Sequence, residues 1–381
     1  MPSPSAHRRK LVYLSGTRAD FGLMKSTLQR LALEFDLGVA VTGMHLDARY
    51  GHTVDEIRGA GFRVCGEIAM DVGSRAPQSM AAGVGECLKG VTDLLVRERP
   101  DMLLLLGDRG EMLAGAIAAL HLGIVCVHVH GGERSGTVDE PVRHAISKLS
   151  GYHLVATRES RERLIRMGEA PQRIFVTGAP GLDGLEADAA MDAQECRARL
   201  GLPKEGAFAL AVFHPVVQQA GDAYAQTAAM LQALSDVNLP VLWLEPNADA
   251  GSLEVLRALD ALALPSGSRR VKHLARPVFC AAMRHCTVMV GNSSAGIIEA
   301  ASFGTPVVNV GDRQRLRERN ANVTDVGNGA VTIAAALQVA IAHGRWACDN
   351  RYGDGRAGER IATLLPSLPL DASVLEKTNT Y

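Results

Sequence analysis

The chain has 381 residues, 47% of them hydrophobic, which is enough apolar material for one large core or, as the better expectation, two domains of ordinary size. Its 40 basic and 41 acidic residues nearly cancel, which argues against a broad electrostatic surface for nucleic acid or anionic lipid and favours a small-molecule ligand. Seven scattered cysteines without any C-x-x-C indicate neither a disulfide framework nor a zinc knuckle, and no apolar run reaches the length of a membrane span, so a soluble, reduced, cytoplasmic chain is expected.

In chain order, short β-branched or Leu-rich runs alternate with longer Ala-rich helical patterns. KLVYLS is followed by a helix from about Phe21; then come FDLGVAVTG, PDMLLLLG with a helix near residues 110 to 121, GIVCVHVH, YHLVAT and RIFVTG. After Gly181 the pattern restarts with AFALAVFHP, a long helix around Ala223 to Leu234, PVLWLEPN, CTVMVGNSS, a helix near residues 295 to 303, and TPVVNVG. Alternation of this kind predicts βαβ units and parallel sheets, hence an α/β chain of two Rossmann-like domains. The segment GAPGLDGLEADAAMDAQ, where strands stop, places the boundary near residue 180. The expected division is residues 1–180, 181–362 and a C-terminal tail at 363–381. Active sites of open α/β sheets lie outside the carboxyl ends of the strands, so two such domains facing each other would enclose a cleft.

The strand ends carry the residues of interest. SGTRAD puts Arg18 beside a helix amino end, a combination suited to a phosphate or to capping. Gly291, Asn292, Ser293 and Ser294 lie where a buried strand gives way to a helix, and read as a phosphate cradle or as ordinary N-capping. Glu299, in an otherwise small and apolar helix, fits a ribose diol. His214 ends another strand, where a lone histidine is either a hydrogen-bonded core residue or a ligand contact. LLLLGDRGEM sets Asp108 and Arg109 just past a buried strand, and the next strand runs into HVHGGERSGTVDEPVRH. There His128 and His130 are two apart, hence on one face, and could hold a metal with Asp108 or Asp139. They could equally hydrogen-bond backbone, or join the carboxylates in general acid/base chemistry, with the two following glycines allowing close approach to a ligand.

Together these motifs resemble a known family. GTRADFG, VTGMHLD, LLGDRGEML, HGGERSGTVDEPVRHAISKLS, FHP, EPNADAGS, KHL, GNSSAGIIEAASFGTPVVNVGDRQ and NRYGDGRAGERI follow one another as in the hydrolysing UDP-N-acetylglucosamine 2-epimerases, over residues 10 to 362. The resemblance implies a glycosyltransferase-B fold with the nucleotide sugar in the cleft, no metal or other cofactor, and a homodimer. It implies anti elimination of UDP from UDP-GlcNAc to 2-acetamidoglucal, then hydration to free N-acetylmannosamine. It assigns acid/base duty to Asp108 and Asp139, an orienting role to Arg143, and nucleotide contact to Arg18, Arg109, His214, Asn247, His273, Ser293, Ser294, Glu299 and Arg313. One position departs: where many members read H-x-E before the glycines, this chain has His130, so the third proton-transfer group is His130 or Glu133. That departure leaves open UDP-2,4-diacetamido-trideoxy-glucose or GDP-GlcNAc as substrate, and an inactive nucleotide-sugar sensor; the non-hydrolysing epimerase is a further alternative, against which the GTRAD, PNADAGS and GDRQ spellings favour the hydrolysing branch.

Overall fold

In the computed structural model, which describes residues 8–71, 77–136, 139–246 and 249–380, the chain forms two parallel-sheet units. The first holds seven strands: β1 (Lys10–Ser15), β2 (Asp36–Thr42), β3 (Val64–Ile68), β4 (Met102–Leu106), β5 (Val125–Val129), β6 (Tyr152–Val155) and β7 (Ile174–Val176). Their order across the sheet is β3-β2-β1-β4-β5-β6-β7. β4 is MLLLL, apolar at every position, because a parallel sheet covered by helices is dry on both faces. The two-residue period of the strand sorts these side chains. Leu11, Tyr13, Val39, Val41, Leu104 and Val127 enter one core layer. Val12, Leu14, Ala40, Leu103, Leu105 and Cys126 enter the other.

The second unit has six parallel strands: β8 (Ala209–Val212), β9 (Val241–Leu244), β10 (Arg269–Val271), β11 (Val288–Gly291), β12 (Val307–Val310) and β13 (Val323–Val326), in the order β10-β9-β8-β11-β12-β13. Ala209, Ala211, Phe213, Trp243, Val288, Val290 and Val308 build its core against the helices Ala223–Asp236 and Ala330–His343.

Two features of the expected division need correction. The first unit runs to Asp183, and residues Tyr352–Tyr381 return to it rather than forming a tail. The reason is burial: Ile361, Leu365, Leu368 and Val374 enter the same core layer as β1 and β2. The short stretch 134–136 groups with the second unit.

Each sheet reverses its winding once. β1 lies between β2 and β4, and β8 between β9 and β11, so each unit has a switch point where the loops after two strands diverge and leave a crevice. The residues after β1, β4, β8 and β11 are therefore the ones placed to meet a ligand.

Candidate functional site

At the end of β1 the chain turns into the helix Arg18–Glu34 through a reciprocal cap. Asp20 N donates to Thr17 Oγ1 at 3.2 Å, and Thr17 N donates back to Asp20 Oδ2 at 2.7 Å. Gly16 N also donates to Asp20, and Ser15 Oγ bonds both Asp20 and His45 Nε2. His45 in turn meets Thr53 Oγ1 at 2.8 Å, and its burial pushes its pKa down. The amides of this loop thus serve its own fold. Arg18 is held by Glu56, with Nε at 2.9 Å and Nη2 at 2.7 Å from the two carboxylate oxygens. An incoming anion would have to compete with that carboxylate.

At the end of β4, Asp108 and Arg109 precede the helix Gly110–Leu122. Beneath them lies Glu111, 3% exposed, which the sequence reading passed over. Its two oxygens accept from Arg109 Nε at 3.2 and 3.3 Å. The same carboxylate lies 3.1 Å from where a β-carbon on Gly16 or Gly43 would stand, so it is wedged between the loops after β1 and β2. A glutamate two residues after GDR, opposite two glycines that leave it room, is the signal that could have found it.

β5 ends at Val129, registered with Leu106 of β4. His128 is still in the strand, wholly buried, with Nε2 2.7 Å from Gly107 O and Nδ1 3.0 Å from Ser147 Oγ. Burial pushes it down to about 3, so it is a neutral structural imidazole, and neither ring nitrogen is left for a metal. His130 does not share its face. The backbone leaves the strand there with φ 63°, a left-handed conformation uncommon for a residue with a β-carbon. Its Nδ1 forms a short hydrogen bond with Glu133 Oε1. The glycines that follow are needed by the protein itself. A β-carbon on Gly132 would stand 2.4 Å from Ser160 O, and one on Gly131 2.9 Å from Ser147 Oγ, which corrects their reading as room for a ligand.

Asp139 opens the helix Asp139–Leu149 and is partly buried. One helical turn on, Arg143 donates from Nη1 to Glu133 O at 3.2 Å and from Nη2 to Asp108. It is fully shielded from solvent, and joins the loops after β4 and β5 into one piece. The first unit thus brings together Asp108, Arg109, His130, Glu133 and Arg143.

In the second unit, Asn292 acts as a latch. Its Nδ2 donates to His214 O at 2.8 Å, and its Oδ1 accepts from His214 N at 2.8 Å. Its carbonyl receives Arg313 Nη1 and Gln314 Nε2, each at 3.2 Å. The expectation that Asn292 contacts nucleotide is therefore corrected: its amide is spent on holding His214 at the end of β8. Gly291 has φ 127°, and a β-carbon there would stand 2.1 Å from Val212 O, so glycine is required by the approach of β8 to β11. Ser293 caps the short helix Ser294–Ile298 by accepting from Ala295 N at 3.3 Å, the capping alternative. The single expected helix breaks at Glu299, whose buried carboxylate accepts from Arg276 Nη1 at 2.8 Å. That ion pair lifts Arg276 above its ordinary range. His273 is exposed beyond β10, and Asn247 lies outside the described residues. The structure brings His214, Asn292 and Arg313 together; it does not join His273 to them.

Two Rossmann-like units, each with polar residues gathered at its switch point, define the glycosyltransferase-B architecture. The chain belongs to the UDP-N-acetylglucosamine 2-epimerase family, whose sequence model matches residues 28–366. It is 48% identical to the UDP-N,N′-diacetylbacillosamine 2-epimerase (hydrolyzing) of Legionella pneumophila, over 98% of this chain and 100% of that protein. It is 33% identical to the UDP-N-acetylglucosamine 2-epimerase of Neisseria meningitidis, over 94% of this chain and 95% of that one. A crystal structure of the UDP-GlcNAc 2-epimerase from Neisseria meningitidis bound to UDP-GlcNAc superposes with a TM-score of 0.78 at 18% identity, covering 93% of this chain and 99% of that one, which shows the shared fold. Among the described residues no helix is long and apolar enough to cross a membrane.

Proposed function

We propose that the protein is a hydrolysing 2-epimerase of a UDP-linked 2-acetamido sugar, acting in sialic-acid-type sugar biosynthesis. The observation that carries this reading is the tie made by Arg143 between Asp108 and the loop bearing His130 and Glu133, which sets titratable groups side by side at the first unit's switch point. Inverting C2 takes one group to remove its proton and another to return a proton from the opposite face, and these side chains with Asp139 supply both kinds. In the first step the C2 proton is taken, the C1–O bond to UDP breaks, and a C1=C2 double bond forms. In the second, water adds its hydroxyl at C1 and C2 regains a proton, releasing the free 2-epimer. In the second unit, His214 and Arg313 are the groups we assign to the departing diphosphate.

UDP-GlcNAc, giving free N-acetylmannosamine, is the substrate to which the motifs point. A specific observation favours a second, UDP-N,N′-diacetylbacillosamine: identity to the relative named for that sugar is 48%, against 33% to the one named for UDP-GlcNAc. The test is incubation with each sugar nucleotide in D₂O with chelator present, followed by proton NMR. Free 2-epimer carrying deuterium at C2, together with UDP, is the expected result, and the ratio of kcat/KM ranks the sugars. A UDP-linked 2-epimer as the product would move the protein to the non-hydrolysing branch. UDP binding without turnover of any sugar nucleotide, including GDP-GlcNAc, would make it a sensor.

A further inference from the structure

We propose that His130 Nε2 is the base that removes the C2 proton, and that Glu133 serves it as a positioning residue without touching the substrate; this rests on the epimerase reading above. Burial separates the two groups. Glu133 is 0% exposed, whereas the His130 side chain keeps 10%, so of the pair only the imidazole has an edge open to a ligand. The hydrogen bonding separates the two nitrogens of the ring. Nδ1 is committed to Glu133 Oε1. Nε2 has no partner among the described residues and is not one of the buried polar atoms. With the carboxylate as acceptor, the ring hydrogen sits on Nδ1 and the lone pair on Nε2, the tautomer required of a base.

The backbone points the same way. A left-handed residue with a β-carbon is retained where the surroundings over-determine it, and His130 is fixed from both sides. Its own N donates to Leu154 O at 3.0 Å, while the Glu133 carbonyl, three residues on, is clamped by Arg143. The turn takes His130 out of the alternation of β5, one residue past the end of a strand whose neighbour, β4, leads into Asp108. In the elimination, Nε2 forms a bond to the C2 hydrogen, the C–H electron pair becomes the C1=C2 double bond, and UDP leaves with the electrons of the C1–O bond. The resulting imidazolium passes its proton to water, and a carboxyl group across the sugar supplies the proton that C2 regains.

The test uses the full chain and the variants His130→Gly and Glu133→Gln. Glycine at φ 63° relieves the backbone and offsets part of what Glu133 loses with its imidazole partner, so His130→Gly is expected to fold and to bind UDP as wild type does. Its kcat should fall by about 10²- to 10⁴-fold, with KM little changed, and added imidazole should restore at least ~10-fold of the loss. Glu133→Gln should lower kcat by roughly 10²-fold or more at similar KM, the response when the carboxylate that sets a catalytic tautomer is removed. A folded, UDP-binding His130→Gly that turns over at the wild-type rate, or that imidazole does not rescue, overturns the assignment. Wild-type protein run alongside distinguishes the failures. If it releases no free sugar from any sugar nucleotide, the epimerase reading falls and this inference with it; if it turns over while the variant goes unrescued, only the role of His130 falls.

Discussion

Arg143 meets the Asp108 carboxylate from a position 1% exposed, while Asp108 itself keeps 23%. One partner belongs to the interior and the other faces the site, so the pair fixes a reactive carboxylate from behind. Losing the guanidinium strands a partly buried carboxylate and a backbone carbonyl. Arg143→Met is expected to cost about 3 kcal/mol in denaturant unfolding. Asp108→Asn should leave the fold and UDP binding nearly intact while lowering kcat by ~10²- to 10⁴-fold. Asp108→Asn turning over normally would remove that carboxylate from the chemistry.

The buried histidines set an acid limit. His128 is pushed down to about 3, and His45 and His153 are lowered as well, in each case first of all by burial. In the unfolded chain an imidazole takes its proton near pH 6.5. Below that pH the unfolded state therefore binds protons that folded His128 refuses until about pH 3. Stability should be level above the unfolded pKa and fall with pH below it, by up to about 1.4 kcal/mol per pH unit for each such group. Urea midpoints from pH 7 to pH 4.5 would measure the slope. His128→Gln, which can still donate to Gly107 O, should flatten it; an unchanged slope would assign the acid lability elsewhere.

The central strands were legible because they are apolar or nearly so: MLLLL, and VCVHV with His128 as its one polar residue, need no partner to be recognised. β3, β10 and β13 were not foreseen, and all three are sheet edges, where VCGEI, RRV and VTDV carry the charged and polar residues of a half-covered strand. At the site, residue types were readable and pairings were not. Nothing in the spacing says that Arg143 reaches back to Asp108, or that His130 turns out of the strand while His128 stays in. The amide of Asn292 looked like a ligand group because its partner, the backbone of His214, lies 78 residues away in sequence. Residues 363–381 read as a tail because their apolar positions are too widely spaced to form a strand or a long helix by themselves.

Glu111 supplies a prediction that separates binding from chemistry. Its carboxylate restrains Arg109 while pressing on the loops after β1 and β2. Glu111→Gln keeps the shape and weakens the charge-assisted bonds, by about 1–2 kcal/mol. If Arg109 binds the diphosphate, KM should rise by roughly 10-fold with kcat within a few-fold of wild type. A fall in kcat at constant KM would instead place Arg109 or Glu111 in the proton transfers.

The C-terminal segment reaches the site through a helix end. Lys377 Nζ donates to the carbonyls of Ser147, Lys148 and Ser150 at 2.8 to 2.9 Å, capping the carboxyl-terminal end of the helix Asp139–Leu149. It also pairs with Glu169 at 2.6 Å, which in turn holds His153, and these partners keep Glu169 down at about 2. The capped helix begins with Asp139, carries Arg143, and presents Ser147 to His128. Lys377→Met removes the cation from this buried cluster and should cost about 2–4 kcal/mol. Because Arg143 sits on the loosened helix, kcat should drop further as temperature rises toward the new midpoint, while UDP affinity changes little. Hydrogen exchange would locate the effect: faster exchange confined to amides 145–152 supports the capping role, whereas loss of protection throughout the first sheet would show that Lys377 holds the core as a whole.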